Sequence, residues 1–199
     1  IYRIDRHLIE DTMEIADRAS AFLHEPRSTV VVDVIGIGAG VYDALRRYKN
    51  RNEIAASAIP FNAAARTDRR DQIGQFKFLN DRAAAWWNLR ELLDPSKGSK
   101  IALPDDDQLL EELIAPKFGF NVGGTLKIES KEDIKRRIGR STDSADAVIA
   151  AFWVSGDHHQ EAFAEWGADA RKGGVIPYEG FESGLGDTLG TTYDIDWDL

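Results

Sequence analysis

The chain has no cysteine. That excludes a disulfide framework and a thiolate metal site, and it is compatible with a reducing compartment. No apolar run approaches the ~20 residues of a membrane-spanning helix, and no signal peptide is visible, so no membrane role is expected. No G-x-x-x-x-G-K-[ST] segment occurs, which excludes a P-loop. Methionine appears once and proline six times among 199 residues, 43% of them hydrophobic, enough for one domain with a proper core. Ile1 already lies in an alternating, strand-like stretch, which reads as a domain cut from a longer protein.

Charge is present but unevenly spread. The formal net charge is −9, yet residues 156–199 hold ten acids against Arg171 and Lys172. The 155 residues before them carry 23 basic and 24 acidic side chains, a near-neutral body. Such a body accommodates a basic face, so nucleic acid stays open as a partner.

Hydrophobic spacing divides the chain into alternating elements. Residues 1–9 read as a strand, and 12–24 as an amphipathic helix capped by Asp11. The β-branched run at 29–34 predicts a strand buried on both faces. Gly36, Gly38 and Gly40 make a turn into a helix over 41–48. A second apolar strand, 54–59, is expected to end at Pro60, and the polar stretch 61–78, with Arg66, Arg69, Arg70 and Lys77, to form a mobile surface loop. A helix over 81–93, a short strand at 100–103 and a helix over 105–114 follow. A hairpin around Gly123-Gly124 joins 117–121 to 125–129. A basic helix over 130–138 stops at Gly139, and a last helix runs from Asp143 to about residue 155. Residues 1–155 thus form one α/β domain, and 156–199 an acidic tail, extended or disordered at least from 175.

Three aspartates stand out. Asp33 ends the β-branched strand, where α/β proteins place ligands. Asp143 and Asp146 sit three apart in the first turn of the last helix, on one face and in the positive end of its dipole. Taken singly each has a plain reading: Asp33 caps the next turn, and Ser141 or Asp143 is a helix cap. Together they are hard oxygen donors suited to Mg²⁺ or Mn²⁺. Two such ions ~3.5–4 Å apart stabilise the attacking and leaving oxygens of phosphodiester hydrolysis. The glycines after Asp33 do not make a dinucleotide fingerprint, because Val41 stands where the third glycine belongs, so no nucleotide cofactor is expected.

Lys127, Lys131, Lys135, Arg136, Arg137 and Arg140 form the densest basic stretch. They read either as a solvated face paired with Glu129, Glu132 and Asp133, or as phosphate-positioning groups. His158 and His159 face different ways and make a poor joint ligand. Trp86 and Trp87 read as core.

Four blocks resemble the C-terminal nuclease domain of tailed-phage large terminase subunits. They are VVVDVIGIGAGVYDALR beginning at Val30, LNDRAAAWWNLRELL (79–93), IALPDDDQLLEEL (101–113) and IESKEDIKRRIGRSTDSADAVIAAF (128–152). The resemblance implies an RNase H-like fold, with a central mixed β-sheet flanked by helices and its first strand or strands missing from this chain. It implies a metal-dependent endonuclease cleaving double-stranded DNA by a two-metal mechanism during genome packaging, with Mg²⁺ or Mn²⁺ held by Asp33, Asp143 and Asp146. Lys131, Lys135, Arg137 and Arg140 would position DNA. Portal protein and small terminase subunit are the implied partners, and the host bacterial cytoplasm the implied location. The family's opening-strand acid has no match here, so weak or no activity is expected of these residues alone. A second reading is a non-catalytic docking module that uses the acidic tail, with Ile195 and Trp197 as anchors.

Overall fold

The computed structural model describes residues 1, 3–25, 28–97 and 101–153. Helix α1 (Thr12–Ser20) begins as expected: the Asp11 carboxylate accepts the amides of Met13 and Glu14. Strand β1 (Thr29–Asp33) leads to α2 (Gly38–Asn50), and β2 (Ser57–Phe61) returns parallel to β1 in register from Thr29↔Ser57 to Asp33↔Phe61. Next come β3 (Lys77–Phe78), α3 (Asp81–Leu93), α4 (Asp107–Ile114), β4 (Phe118–Phe120), β5 (Thr125–Ile128), α5 (Lys131–Ile138) and α6 (Asp143–Ala151).

The mixed α/β class is as expected, but the sheet is divided. Among the described residues β1 and β2 form one sheet, while β3, β5 and β4, in that order, form a second with parallel and antiparallel neighbours. Three local expectations fail. Residues 1–9 are not a strand; Ile1 and Ile4 pack against the core, and the terminal amine donates to the Ala102 carbonyl at 2.7 Å. Alternation alone does not make a strand without a neighbour to pair with. Residues 101–103 are likewise irregular, with Ile101 and Leu103 against the same core. Pro60 lies inside β2, opposite Val32, rather than ending it. Because β2 has β1 as its one neighbour among the described residues, a missing N–H on its other side costs nothing there.

Two clusters of buried side chains flank β1. Val30 and Val32 join Ala16, Val41, Ala44 and Leu45 from α1 and α2. Val31 joins the larger cluster, in which Trp86, Trp87 and Leu89 of α3 meet Leu109, Leu126, Val148 and Ile149. Each fully buried Val, Leu or Ile among them contributes about 1.5–3 kcal/mol. The two-sided strand reading is therefore right, although the residues after Thr29 are half-buried rather than enclosed. By the same two-residue period Asp33 lies on the Val31 face, the face that α6 contacts.

The chain from 61 to 78 is tied down at several points. Arg70 and Lys77 make an antiparallel bridge, and the Asp71 carboxylate accepts the Phe76 amide at 2.6 Å. The Gln72 amide donates to the Glu91 carboxylate of α3 at 3.2 Å. Helix α5 ends as expected, with Gly139 in the left-handed region at φ 80. The tail, with His158, His159, Ile195 and Trp197, lies outside the described residues.

Two surface pairs set a pH dependence. The Arg6 guanidinium holds the Asp106 carboxyl below its usual range, and Arg137 does the same for Glu129. Because both folded values lie below the unfolded ones, the pairs stabilise the fold above about pH 4 and the gain is lost as pH falls further. Arg6→Ala should lower the urea midpoint more at pH 7 than at about pH 3, where the carboxylate partner is being lost but the bond to the Ser144 hydroxyl remains; equal losses at both pH values would contradict this.

Candidate active site

Asp33 is half-buried at the end of β1, and its Oδ1 accepts the Ile35 amide at 3.1 Å. The turn that follows depends on Gly38. A Cβ there would lie 1.8 Å from the Asp33 carbonyl oxygen, so α2 can start this close to β1 only without a side chain. Gly38→Ala should cost about 3 kcal/mol as the strand end is pushed aside. A urea midpoint equal to that of the parent would refute the close approach.

Helix α6 presents the other two acids. Its N-cap is Thr142, without a side-chain cap bond, rather than Ser141 or Asp143. The cap comes instead from α4: the Glu112 Oε2 accepts the amides of Ser144 at 2.8 Å and Ala145 at 3.1 Å. A carboxylate here also meets the positive end of the helix dipole. Asp143 is exposed, and its Oδ1 accepts the Ser141 hydroxyl at 2.6 Å.

Asp146 is the inward-facing acid, with its side chain 13% exposed. Lys131 Nζ lies 3.0 Å from its Oδ2, Arg82 Nε 3.7 Å from its Oδ1, and the Thr142 hydroxyl donates to Oδ2 at 3.1 Å. Arg82 is itself buried, donating Nη1 to the Glu129 carbonyl at 2.7 Å. Among the described residues its Nε and Nη2 have no hydrogen-bond partner. Burial lowers the pKa of this guanidinium, and Asp146 pushes it back up. A largely enclosed carboxylate thus sits between two cations, one of them under-satisfied.

The basic stretch divides. Lys131 reaches Asp146, while Arg137 pairs with Glu129 at 2.5 Å and Arg140 pairs with Glu111. Lys135 is exposed and forms no ion pair among the described residues.

No family model matches the chain, and no curated protein matches it at a significant level. Solved structures do. A lysine-to-alanine variant of the nuclease domain of the large terminase subunit of bacterial virus Sf6, with manganese and beta-thujaplicinol, aligns with a TM-score of 0.59 and 23% identity, covering 77% of each chain. A form with calcium aligns equally well. Another structure of the nuclease domain of the same subunit gives a TM-score of 0.50 and 22% identity over 73% of this chain and 70% of that one. The chain has the RNase H-like fold of terminase nuclease domains.

Within this terminase-type fold, the donor chemistry of Asp33 and Asp146 fits a hard divalent cation. The arrangement is not a closed cage: among the described residues no group of three or more acids or histidines stands close enough to hold a metal ion. Asp143 and Asp146 share a helical turn but hold different partners, and Asp33 is joined to them through the packing of β1 on α6.

Arg82, Thr142 and Glu112 did not stand out from spacing. Glu112 caps a helix 32 residues away, which no local pattern encodes. Arg82 had one signal, a lone cation opening the otherwise apolar run Ala83–Trp87, but that pattern names no partner.

Proposed function

We propose that this chain is a metal-dependent nuclease domain that cleaves double-stranded DNA during the packaging of a bacterial virus genome. The carrying observation is Asp146, largely enclosed at the start of α6 between Lys131 and Arg82. Asp33, on the face of β1 that α6 contacts, is its natural counterpart. The fold supports the reading, since the Sf6 nuclease domains were solved with manganese or calcium.

Asp33 and Asp146, with Asp143 at the rim, would hold Mg²⁺ or Mn²⁺, and two ions is the expected count. Divalent ions there would polarise the scissile phosphate and acidify an attacking water. The chain's own residues have separate tasks. Glu112 fixes the first turn of α6 and so the direction of Asp146. Arg82 and Lys131 compensate the charge of that carboxylate, and Lys131, being part-exposed, is free to turn toward a phosphate. Lys135 supplies a surface charge for the DNA backbone, while Arg137 and Arg140 first serve the fold through their pairs with Glu129 and Glu111. Portal protein and small terminase subunit are the proposed partners, in the host bacterial cytoplasm.

Supercoiled plasmid incubated with the full-length protein tests this. Nicking and linearisation with Mn²⁺, abolished by a chelator, is the expected result. An intact plasmid across a range of Mn²⁺ and Mg²⁺ would exclude the activity.

A further inference from the structure

We infer that the pocket framed by residues 66–79 is a binding site for nucleic-acid backbone phosphates, and that it holds the strand running toward Asp146. This deepens the nuclease reading and rests on it for the identity of the polyanion. The cavity is about 500 Å³ and is lined by Arg66, Arg69, Arg70 and Lys77 against a single acid, Asp68.

Charge accounting sets this place apart. Elsewhere many of the long cations are spent on carboxylates, among them Arg6 on Asp106, Arg18 on Glu14, Arg136 on Asp133, Arg137 on Glu129 and Arg140 on Glu111. Arg66, Arg70 and Lys77 are exposed, and none forms an ion pair among the described residues. More unpaired positive charge therefore collects here than along α5, where Lys135 alone forms no ion pair among the described residues. Arg69 plays a different part: its guanidinium lies 3.8 Å from the centre of the Trp153 ring and its burial lowers its pKa, so it builds the wall.

The frame is rigid for a loop. The Arg70↔Lys77 bridge, the Asp71 carboxylate on the Phe76 amide and the Gln72 amide on Glu91 hold the cations before any ligand arrives. Preorganised donors lose less entropy on binding. Thr67 and Thr125 add hydroxyls of the kind that bond phosphate oxygens. Several separate cations around a wide, open cavity suit successive phosphates better than one small carboxylate.

Position joins the pocket to the acids. Asp81 faces Thr67 and Arg69, and burial raises its pKa against the pull of both. The next residue, Arg82, reaches Asp146. One helical start thus separates the phosphate pocket from the candidate centre.

The test is the binding of a fluorescent ~30-base-pair duplex by the full-length protein, in chelator and over a salt series. Arg66→Ala, Arg70→Ala and Lys77→Ala combined should weaken binding about 30-fold at 0.1 M salt and flatten the log–log salt slope by about 2–3. Circular dichroism should show an unchanged fold, because the three side chains are exposed. Arg18→Ala, at an exposed cation already paired with Glu14, should keep the parent affinity. Equal affinity and slope for the triple variant, or no duplex binding by the parent even at low salt, would overturn the inference. Binding that depends on the pocket without metal-dependent cleavage would sustain the site and instead remove the nuclease reading.

Discussion

Glu112→Ala is expected to destabilise the domain by about 3 kcal/mol, with a fall in Tm of about 6–12 °C. The side chain is 1% exposed, and its Oε2 is the acceptor for two amides at the start of α6. Ser144 and Ala145 are both buried, so water does not replace the lost acceptor. Each stranded donor costs about 1–3 kcal/mol. The same carboxylate also takes the Gln108 side-chain amide at 2.8 Å and lies 3.9 Å from Arg140 Nε, so truncation strips partners from both sides. Glu112→Gln keeps one acceptor oxygen and should recover about half of the loss. The neighbouring Glu111, with its side chain 64% exposed, serves as the control; Glu111→Ala should change stability by less than about 1 kcal/mol. Thermal unfolding followed by circular dichroism reads all three variants. Similar losses for Glu111→Ala and Glu112→Ala would refute the long-range cap.

Asp146→Asn should reduce metal-dependent DNA cleavage by about 10³-fold or more, since a divalent ion supplies several kcal/mol of transition-state stabilisation. The same substitution has a structural effect that must be separated from the chemical one. Arg82 is buried with two unsatisfied nitrogens, and Asp146 is the carboxylate nearest its guanidinium. Removing that charge leaves a poorly compensated cation, at a cost of about 2–3 kcal/mol after allowing for the Glu129 carbonyl it retains. Adding Arg82→Gln to Asp146→Asn should therefore restore much of the stability and none of the cleavage. Single-turnover cleavage and urea unfolding of the two single variants and the double variant complete the cycle. Cleavage that returns together with stability would assign Asp146 to the fold alone.

Much of the secondary structure could be read from local chemistry. Asn80 and Asp94 bracket α3 at the bounds set by its Ala-rich run, Asp11 caps α1, and Gly139 stops α5. The hairpin follows from Gly123-Gly124, with Gly124 at φ 72. What escaped depends on partners distant in sequence. Alternation in 1–9 suggested a strand, but the segment instead lies along the core, with Arg6 donating to Ser144 and Asp106. Pro60 looked like a strand end because a sequence does not show which side of a strand lacks a neighbour. The polar stretch 61–78 looked loose because the bonds that fix it run to Glu91 and across its own bridge.

The candidate site was legible in the same uneven way. The positions of Asp33, Asp143 and Asp146 at element ends followed from spacing, and α6 does contact β1. The inward turn of Asp146 and the outward turn of Asp143 did not, because both are first-turn residues by pattern. The basic stretch before α6 could not be apportioned from composition: Arg137 and Arg140 serve carboxylates at Glu129 and Glu111, and Lys131 serves Asp146.

The most direct test is a crystal of the full-length protein soaked in Mn²⁺ and measured at the manganese absorption edge. Anomalous density between the carboxylates of Asp33 and Asp146, with Lys131 turned away, is the predicted outcome. Manganese bound only elsewhere, with the Lys131–Asp146 pair intact, would contradict it.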